Sequence, residues 1–295
     1  MLGNVGEVRQ LRFGTIETLV FAGGGNRCWW QAGAVRHLME SGVRLPAQLV
    51  GTSAGAGVAA SFLVKGAETA LQACQNLYRD NPAIFDWSGL AKLRLTFAHQ
   101  QIYPAWVNAF LNADTFALLG RSSSRLTVAL TRPARFLGLR GSVAAGTLAY
   151  LVDKYLWNSI HPRLPRMLGL RQDFMVLNDC GDVETAQNLL VAAASAPPIM
   201  SARAIGNGHA IDGGYTDNAP IPLQSDAERA KTLVMLTRHY PKLPPMFTWR
   251  GRTYWQPSQR IPVSTWDCTP KATVRDAYDL GAGDAVDALR GGLIR

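Results

Sequence analysis

Residues 18–57 read TLVFAGGGNRCWWQAGAVRHLMESGVRLPAQLVGTSAGAG. Residues 18–22 are a short apolar run ending in Gly23, Gly24 and Gly25, the pattern of a buried strand that enters a tight turn. From Asn26 to about Glu40 the apolar residues Trp29, Ala32, Val35, Leu38 and Met39 recur at helical spacing, and Ser41-Gly42 closes that helix. Residues 48–50 repeat the arrangement, with a strand, a glycine and then a helix of small residues over 54–63. Two strand–turn–helix units in succession predict a βαβ connection and a parallel sheet.

Working outward, further strands are expected at 126–130, 174–177 and 232–236, and helices at 68–78, 104–118, 147–157, 185–194 and 271–289. The order predicts one α/β domain over residues 1–295. From about 87 to 171 the βα alternation gives way to what reads as an inserted helical cap, and 271–295 reads as a C-terminal helical tail.

The chain has 295 residues, 47% of them hydrophobic and 17% charged, which suits a sizeable core and excludes a disordered or coiled-coil chain. The formal charge is +9, and residues 121–172 hold most of the surplus, with nine Lys or Arg against one acid, Asp153. The same stretch carries Phe136, Leu139, Leu148, Tyr150, Leu151, Tyr155, Leu156 and Trp157. Basic groups interleaved with large apolar ones suit the interface of an anionic membrane, or else a core helix with a solvated basic face. The four cysteines, Cys28, Cys74, Cys180 and Cys268, show no zinc or redox spacing and read as reduced structural thiols. No secretory pattern and no apolar run of spanning length is seen, so the sequence reads as a cytoplasmic protein able to sit peripherally on a membrane. No helix-turn-helix, zinc spacing or aromatic RNA-binding stripe points to nucleic acid.

Three short segments carry chemistry. Gly51-Thr52-Ser53-Ala54-Gly55 fits G-x-S-x-G, in which a serine on a sharp strand-to-helix turn is lifted above the sheet. The helix that follows directs N–H groups and a positive dipole at a developing oxyanion. In Gly23-Gly24-Gly25-Asn26-Arg27 three glycines expose backbone N–H groups at a helix start, which can hold a phosphate or an oxyanion. A dinucleotide fingerprint fails there, because its third glycine would fall at Cys28, and no Walker lysine is present. Asp212-Gly213-Gly214 presents an aspartate in a tight turn, and a dry site would let that carboxylate act as base for a serine.

Taken together and in this order, the three segments resemble the patatin-like phospholipase family. That family has a glycine-rich oxyanion loop, a G-x-S-x-G elbow some thirty residues on, and a late D-G-[GA] motif. Ala194-Ser195-Ala196-Pro197-Pro198 is similar to the segment before the family's aspartate, and Asn218 and Pro220 match the pattern after it. The resemblance spans residues 16–222 and implies a patatin-type three-layer α/β/α sandwich with a mainly parallel central sheet and a helical insertion. It implies a lipid acyl-hydrolase of phospholipase A or lysophospholipase type working through a Ser–Asp dyad. Ser53 would be the nucleophile and Asp212 the base, between the elbow glycines Gly51 and Gly55 and the turn glycines Gly213 and Gly214. Gly23, Gly24, Gly25, Asn26 and Arg27 would form the oxyanion hole, with Arg27 lending positive charge. The substrate partner would be a phospholipid or another lipid ester, and no metal or cofactor is called for. The chain departs from the family at Cys28, where a glycine is usual; a thiol at a helix N-terminus beside Arg27 would have a lowered pKa.

Two other readings compete. An α/β-hydrolase shares G-x-S-x-G and needs a histidine late in the chain, where only His239 follows Asp212. A catalytically inactive membrane-lipid-binding protein would use the basic stretch alone. Gly281-Ala282-Gly283-Asp284 resembles the anion hole of ribokinase-like sugar kinases, but its flanks read as one amphipathic helix. His99, His161 and His209 have no partner at ligand spacing and read as surface or loop residues. Of Trp29 and Trp30, one is expected in the core and the other at an acyl pocket.

Overall fold

The computed structural model describes residues 5–86, 96–157 and 159–295. Its strands are β1 Gly6–Glu7, β2 Thr18–Phe21, β3 Gln48–Thr52, β4 Phe85–Asp86, β5 Thr96–Phe97, β6 Arg125–Arg132, β7 Arg171–Val176, β8 Arg203–Ile205, β9 Gly208–Asp212, β10 Thr232–Met235, β11 Met246–Trp249 and β12 Arg252–Trp255. Its helices are α1 Trp29–Glu40, α2 Ala54–Leu63, α3 Ala67–Arg79, α4 His99–Phe110, α5 Ala113–Arg121, α6 Gly138–Val152, α7 Leu164–Met167, α8 Val183–Ala193, α9 Asp226–Ala230 and α10 Val274–Arg290.

The main sheet runs β1-β11-β12-β10-β2-β3-β6-β9-β8, with β7 also on β6, while β4 and β5 form a separate pair. Its centre, β12-β10-β2-β3-β6, is parallel throughout, and the pairs outside it are antiparallel. Strands buried on both faces need apolar residues at successive positions, and TLVF of β2 and TLVM of β10 supply them. Leu19, Phe21, Leu49 and Leu233 face the larger core with α1, α2, α3, α4, α8 and α10. Val20, Val50 and Val234 face a thinner second core covered by segments that include Ile160, Ala219 and Tyr240. The result is the expected α/β sandwich.

The register around β6 positions the site. On one edge, residues 125–129 pair with β3 and bring Thr52 opposite Ala129. On the other edge, residues 127–132 pair with β7. Leu130 and Thr131 also pair with Asp212 and Ile211 of β9, so β9 occupies the β3 edge just beyond the end of β3. β3 runs parallel to β6 and β9 antiparallel to it, so their C-terminal ends meet head to head.

Several expectations change. The helix expected over 104–118 is two helices. Asn112 caps α5, its Oδ1 accepting from the N–H groups of Asp114 and Thr115 while Thr115 Oγ1 accepts from Asn112 N–H. Pro104 lies inside α4 and does not start it. Residues 87–171 do not form one inserted cap, because β6 is a central strand and α4 packs into the main core; residues 87–95 lie outside the described residues. The helix expected at 147–157 begins at Gly138 and passes into a π turn, Asp153–Trp157. The strands β1, β4, β5, β8, β9, β11 and β12 have no counterpart among the expected ones; they are short, and most lie at the margins of the main sheet or outside it, where half-buried runs have no strong pattern.

The 271–295 tail is no appendage. A Cβ on Gly33 would strike the Tyr278 carbonyl, and one on Gly281 the Trp30 carbonyl, so α1 and α10 cross with their backbones in contact. Trp30 Nε1 donates to Asp284 Oδ2 at 2.6 Å, and Ser258 N–H donates to the same oxygen at 3.0 Å. The Gly281–Asp284 stretch therefore builds a helix crossing within α10. Gly281→Ala is expected to cost about 1–3 kcal/mol through overpacking, seen as a lower urea midpoint with an unchanged m-value.

Candidate active site

Ser53 joins β3 to α2 with φ 54° and ψ −134°. A side chain rarely adopts that conformation, which costs on the order of 1–3 kcal/mol and persists only where the surroundings enforce it. Here the enforcement is close packing. A Cβ on Gly51 would come 2.5 Å from Ala56 Cα, and one on Gly55 would come 2.6 Å from the Ala22 carbonyl oxygen. Only glycines let the first turn of α2 lie this close to the ends of β2 and β3.

Ser53 Oγ donates to Asp212 Oδ2 at 2.6 Å. The other carboxylate oxygen, Oδ1, accepts from Gly214 N–H at 2.7 Å. Asp212 N–H in turn donates to the Ser195 carbonyl at 2.7 Å, and Tyr215 OH donates to the Pro197 carbonyl at 2.8 Å. The Ala194–Pro198 block thus fixes the end of β9. Gly213 packs where a Cβ would come 2.6 Å from the Ala129 carbonyl. Ser53 and Asp212 are both buried, 6% and 5% exposed. Burial raises the Asp212 carboxyl to about 6, against the lowering effect of the Ser53 and Gly214 hydrogen bonds. A serine hydroxyl bonded to a buried carboxylate of that basicity is arranged for proton transfer.

The glycine loop divides in two. Gly23 N–H donates to the Asn218 carbonyl at 2.7 Å, and its own carbonyl accepts from Thr237 Oγ1. Asn26 N–H donates to the Thr265 carbonyl and Arg27 N–H to the Gly24 carbonyl. The Asn26 side chain donates to the carbonyls of Ser264 and Asp267 and accepts from Tyr78 OH. These groups are spent on holding the loop, which corrects the expectation that Gly23 and Asn26 face an oxyanion. Gly24 and Gly25, with Gly25 at φ 55°, line the cleft at Ser53 and, among the described residues, their N–H groups have no partner. The half-buried Arg27 side chain lines the same cleft, and burial lowers its pKa.

Two openings meet at Ser53. One is the cleft with Arg27, Tyr150, Asp212 and Ile199. The other is an apolar pocket with Trp29, Val58, Ile102, Tyr103, Trp106 and Met200; Thr265 and Trp266 border both. Trp106 is fixed by a 2.8 Å bond from Nε1 to the Ala70 carbonyl and by edge contacts with Trp29 and Phe110. Trp30 is in the core, and Trp29 is buried there as well while it borders the pocket. The α4 residues escaped the sequence reading because Pro104 looked like a helix start. Their only signal is the spacing of Ile102, Tyr103, Trp106 and Phe110, which any core helix shows.

Other expectations are corrected. Cys28 is fully buried and burial raises its thiol, so the helix terminus and Arg27 do not activate it. His161 is no loose surface residue, since Nδ1 bonds Asp217 Oδ2 at 2.7 Å and Nε2 bonds Tyr254 OH at 3.0 Å. His99 is buried, and His209 is exposed as expected. His239 Nδ1 bonds the Pro257 carbonyl at 2.9 Å, and His239 borders neither opening at Ser53.

Comparison with family models matches residues 19–223 to patatin-like phospholipase. The chain belongs to the patatin-like phospholipase family. A search of curated proteins finds no match. The matched range holds both glycine turns, β6 and the whole of β9, while Thr265 and Trp266, which border both openings, lie beyond it. Membership in this family makes the molecule a lipid acyl-hydrolase by class, with a lipid ester as substrate.

Because the folded-state pKa of Asp212 lies above the unfolded value near 3.8, the native state holds its proton longer and loses stability as pH rises from about 4 through 6. A shift of about two units corresponds to about 3 kcal/mol. Asp212→Asn is therefore expected to melt higher than wild type at pH 8 and to lose that advantage at pH 4, read by calorimetry across the range.

Proposed function

We propose that this patatin-like protein cleaves carboxylic esters of lipids through a Ser53–Asp212 dyad and an acyl-enzyme. The 2.6 Å bond between Ser53 Oγ and Asp212 Oδ2 carries the reading. Asp212 takes the proton as Ser53 Oγ attacks the ester carbonyl. The N–H groups of Gly24 and Gly25, with the first turn of α2, receive the tetrahedral oxyanion, and the Arg27 guanidinium adds positive charge. Asp212 returns its proton to the departing alcohol. It then accepts a proton from the attacking water and passes it to Ser53 Oγ as the carboxylic acid leaves. The apolar pocket at Trp29 and Trp106 takes the acyl chain, and the cleft at Arg27 takes the alcohol part.

Replacing Ser53 or Asp212 by Ala is expected to lower kcat/KM on a short-chain p-nitrophenyl ester by roughly 10³-fold or more, while His239→Ala retains most activity. Label from a fluorophosphonate should map to Ser53. Equal loss in His239→Ala would favour the histidine triad. Since the base form of Asp212 is required and its pKa is near 6, kcat/KM should fall about tenfold per pH unit below 6 and level off above it.

The outer face of α6 supports a membrane contact. Its buried residues are small, Ser142, Gly146 and Ala149, while Leu148 and Leu151 point outward. Beyond it Tyr155, Leu156 and Trp157 are 72%, 74% and 58% exposed, and Phe136 and Met167 are exposed as well. Asp153, the one acid of the stretch, is buried and paired with Arg238 at 3.6 Å, which leaves the surface basic. Thr147 and Tyr150 of the same helix border the cleft at Ser53, so the helix that carries this apolar face adjoins the cleft. Leu148→Asp with Leu156→Asp should weaken binding to phosphatidylglycerol vesicles by about tenfold or more, and salt should weaken the wild type. Binding that ignores both changes rejects the membrane-facing assignment.

A further inference from the structure

The apolar pocket beside Ser53 holds a polar group that the chemistry above does not use. His99, at the start of α4, is 7% exposed and borders the pocket with Trp29, Tyr103 and Trp106. Its Nδ1 lies 3.7 Å from Cys268 Sγ, and its ring stands edge-on to Trp266 at 5.9 Å. Among the described residues, Nε2 has no hydrogen-bond partner, and it is not sealed away from space as the buried unpaired atoms of Gln31 and Thr52 are.

The contact with Cys268 bears on which nitrogen carries the proton. Burial lowers His99 to about 4, so the ring is neutral. Burial raises the Cys268 thiol to about 11, so it keeps its hydrogen, while Asn81 Nδ2 donates to the sulfur at 3.3 Å. A thiol that donates to Nδ1 leaves the ring proton on Nε2, and His99 lines the pocket. A nearly buried donor without an acceptor is costly, and a ligand that supplies one gains what the empty site lacks. Tyr103, one turn along α4, sets its OH 3.5 Å from the Ser53 carbonyl, and His99 and Ser53 line the same pocket.

We infer that His99 Nε2–H binds an oxygen carried on the acyl chain, so that this pocket selects acyl groups bearing a hydroxyl, keto or ether oxygen over plain hydrocarbon chains. The inference rests on Ser53 being the nucleophile and on the apolar pocket being the acyl side. It makes His99 a specificity determinant, held in its working tautomer by Cys268.

The test is a series of medium-chain p-nitrophenyl esters in which one ether oxygen replaces a methylene at successive positions, each compared with the unsubstituted ester. At one position wild type should prefer the oxygen-bearing ester by at least about fivefold in kcat/KM. His99→Phe should bring that ratio to one or below, and His99→Gln, which keeps an N–H donor, should recover part of it. Cys268→Ala, which frees the tautomer, should lower the ratio without abolishing it. A wild-type ratio of one or less at every position, or a preference that survives in His99→Phe, overturns the inference. Binding of the matching free acids to Ser53→Ala, followed by calorimetry, separates the two claims. Selective binding of the oxygen-bearing acid in a protein whose wild type turns over no ester would uphold the pocket and reject the dyad. Turnover without selectivity in either assay would do the reverse.

Discussion

The head-to-head meeting of β3 and β9 along one edge of β6 is the constraint on which the site depends. A strand edge has room for one partner at each residue, and β3 ends at Thr52, opposite Ala129. The next residue of β6, Leu130, is free on that edge to pair with Asp212. Two chain segments separated by about 160 residues are thereby joined at adjacent rungs, and the 2.6 Å bond between Ser53 and Asp212 is the consequence. Moving β9 by one residue would turn the Asp212 side chain to the opposite face of the sheet. The Ala194–Pro198 block and the Gly213–Gly214 turn both serve to prevent that slip, one through Asp212 N–H and the other through its carboxylate.

The same junction explains the electrostatics. A carboxylate at the end of an internal strand, under the first turn of α2, is removed from water and becomes more basic. The protein accepts that cost at a buried acid and the strain of Ser53 in one place. Around it the glycine loop divides its labour. Gly23 is bonded to the Asn218 carbonyl and ties β2 to the turn after Asp212, whereas Gly24 and Gly25 line the cleft with N–H groups unpaired among the described residues. Loop residues that hold geometry and those that face the cleft are neighbours in the chain and differ only in what lies opposite.

The region between β6 and β7 inverts the usual arrangement of a surface helix. Small residues of α6 face the protein, with Gly146 against Tyr215, and the large apolar residues face outward. That inversion lets α6 lie close to the cleft while presenting a surface that water does not favour. Apolar residues in a window therefore did not mean core, and the expected choice between a membrane face and a buried helix turned on which side the small residues took.

By itself the sequence determined the βαβ start, the α/β class and the residues of the nucleophile turn and aspartate turn, because glycine spacing and apolar runs are local properties. The 54–63 helix and the 232–236 strand were legible for the same reason, as α2 and β10 show. Family likeness supplied the pairing of Ser53 with Asp212, which neither segment reveals alone. The tertiary structure decided the rest. It placed β6 at the centre of the sheet, took Gly23 and Asn26 out of the set of free donors, and silenced Cys28 by burial. It also brought Tyr103, Trp106 and His99 to Ser53, and paired His161 with Asp217. Each of these depends on what stands across a gap in space, on the partner of an N–H group or the wall behind a ring, and a linear pattern holds no information about that distance.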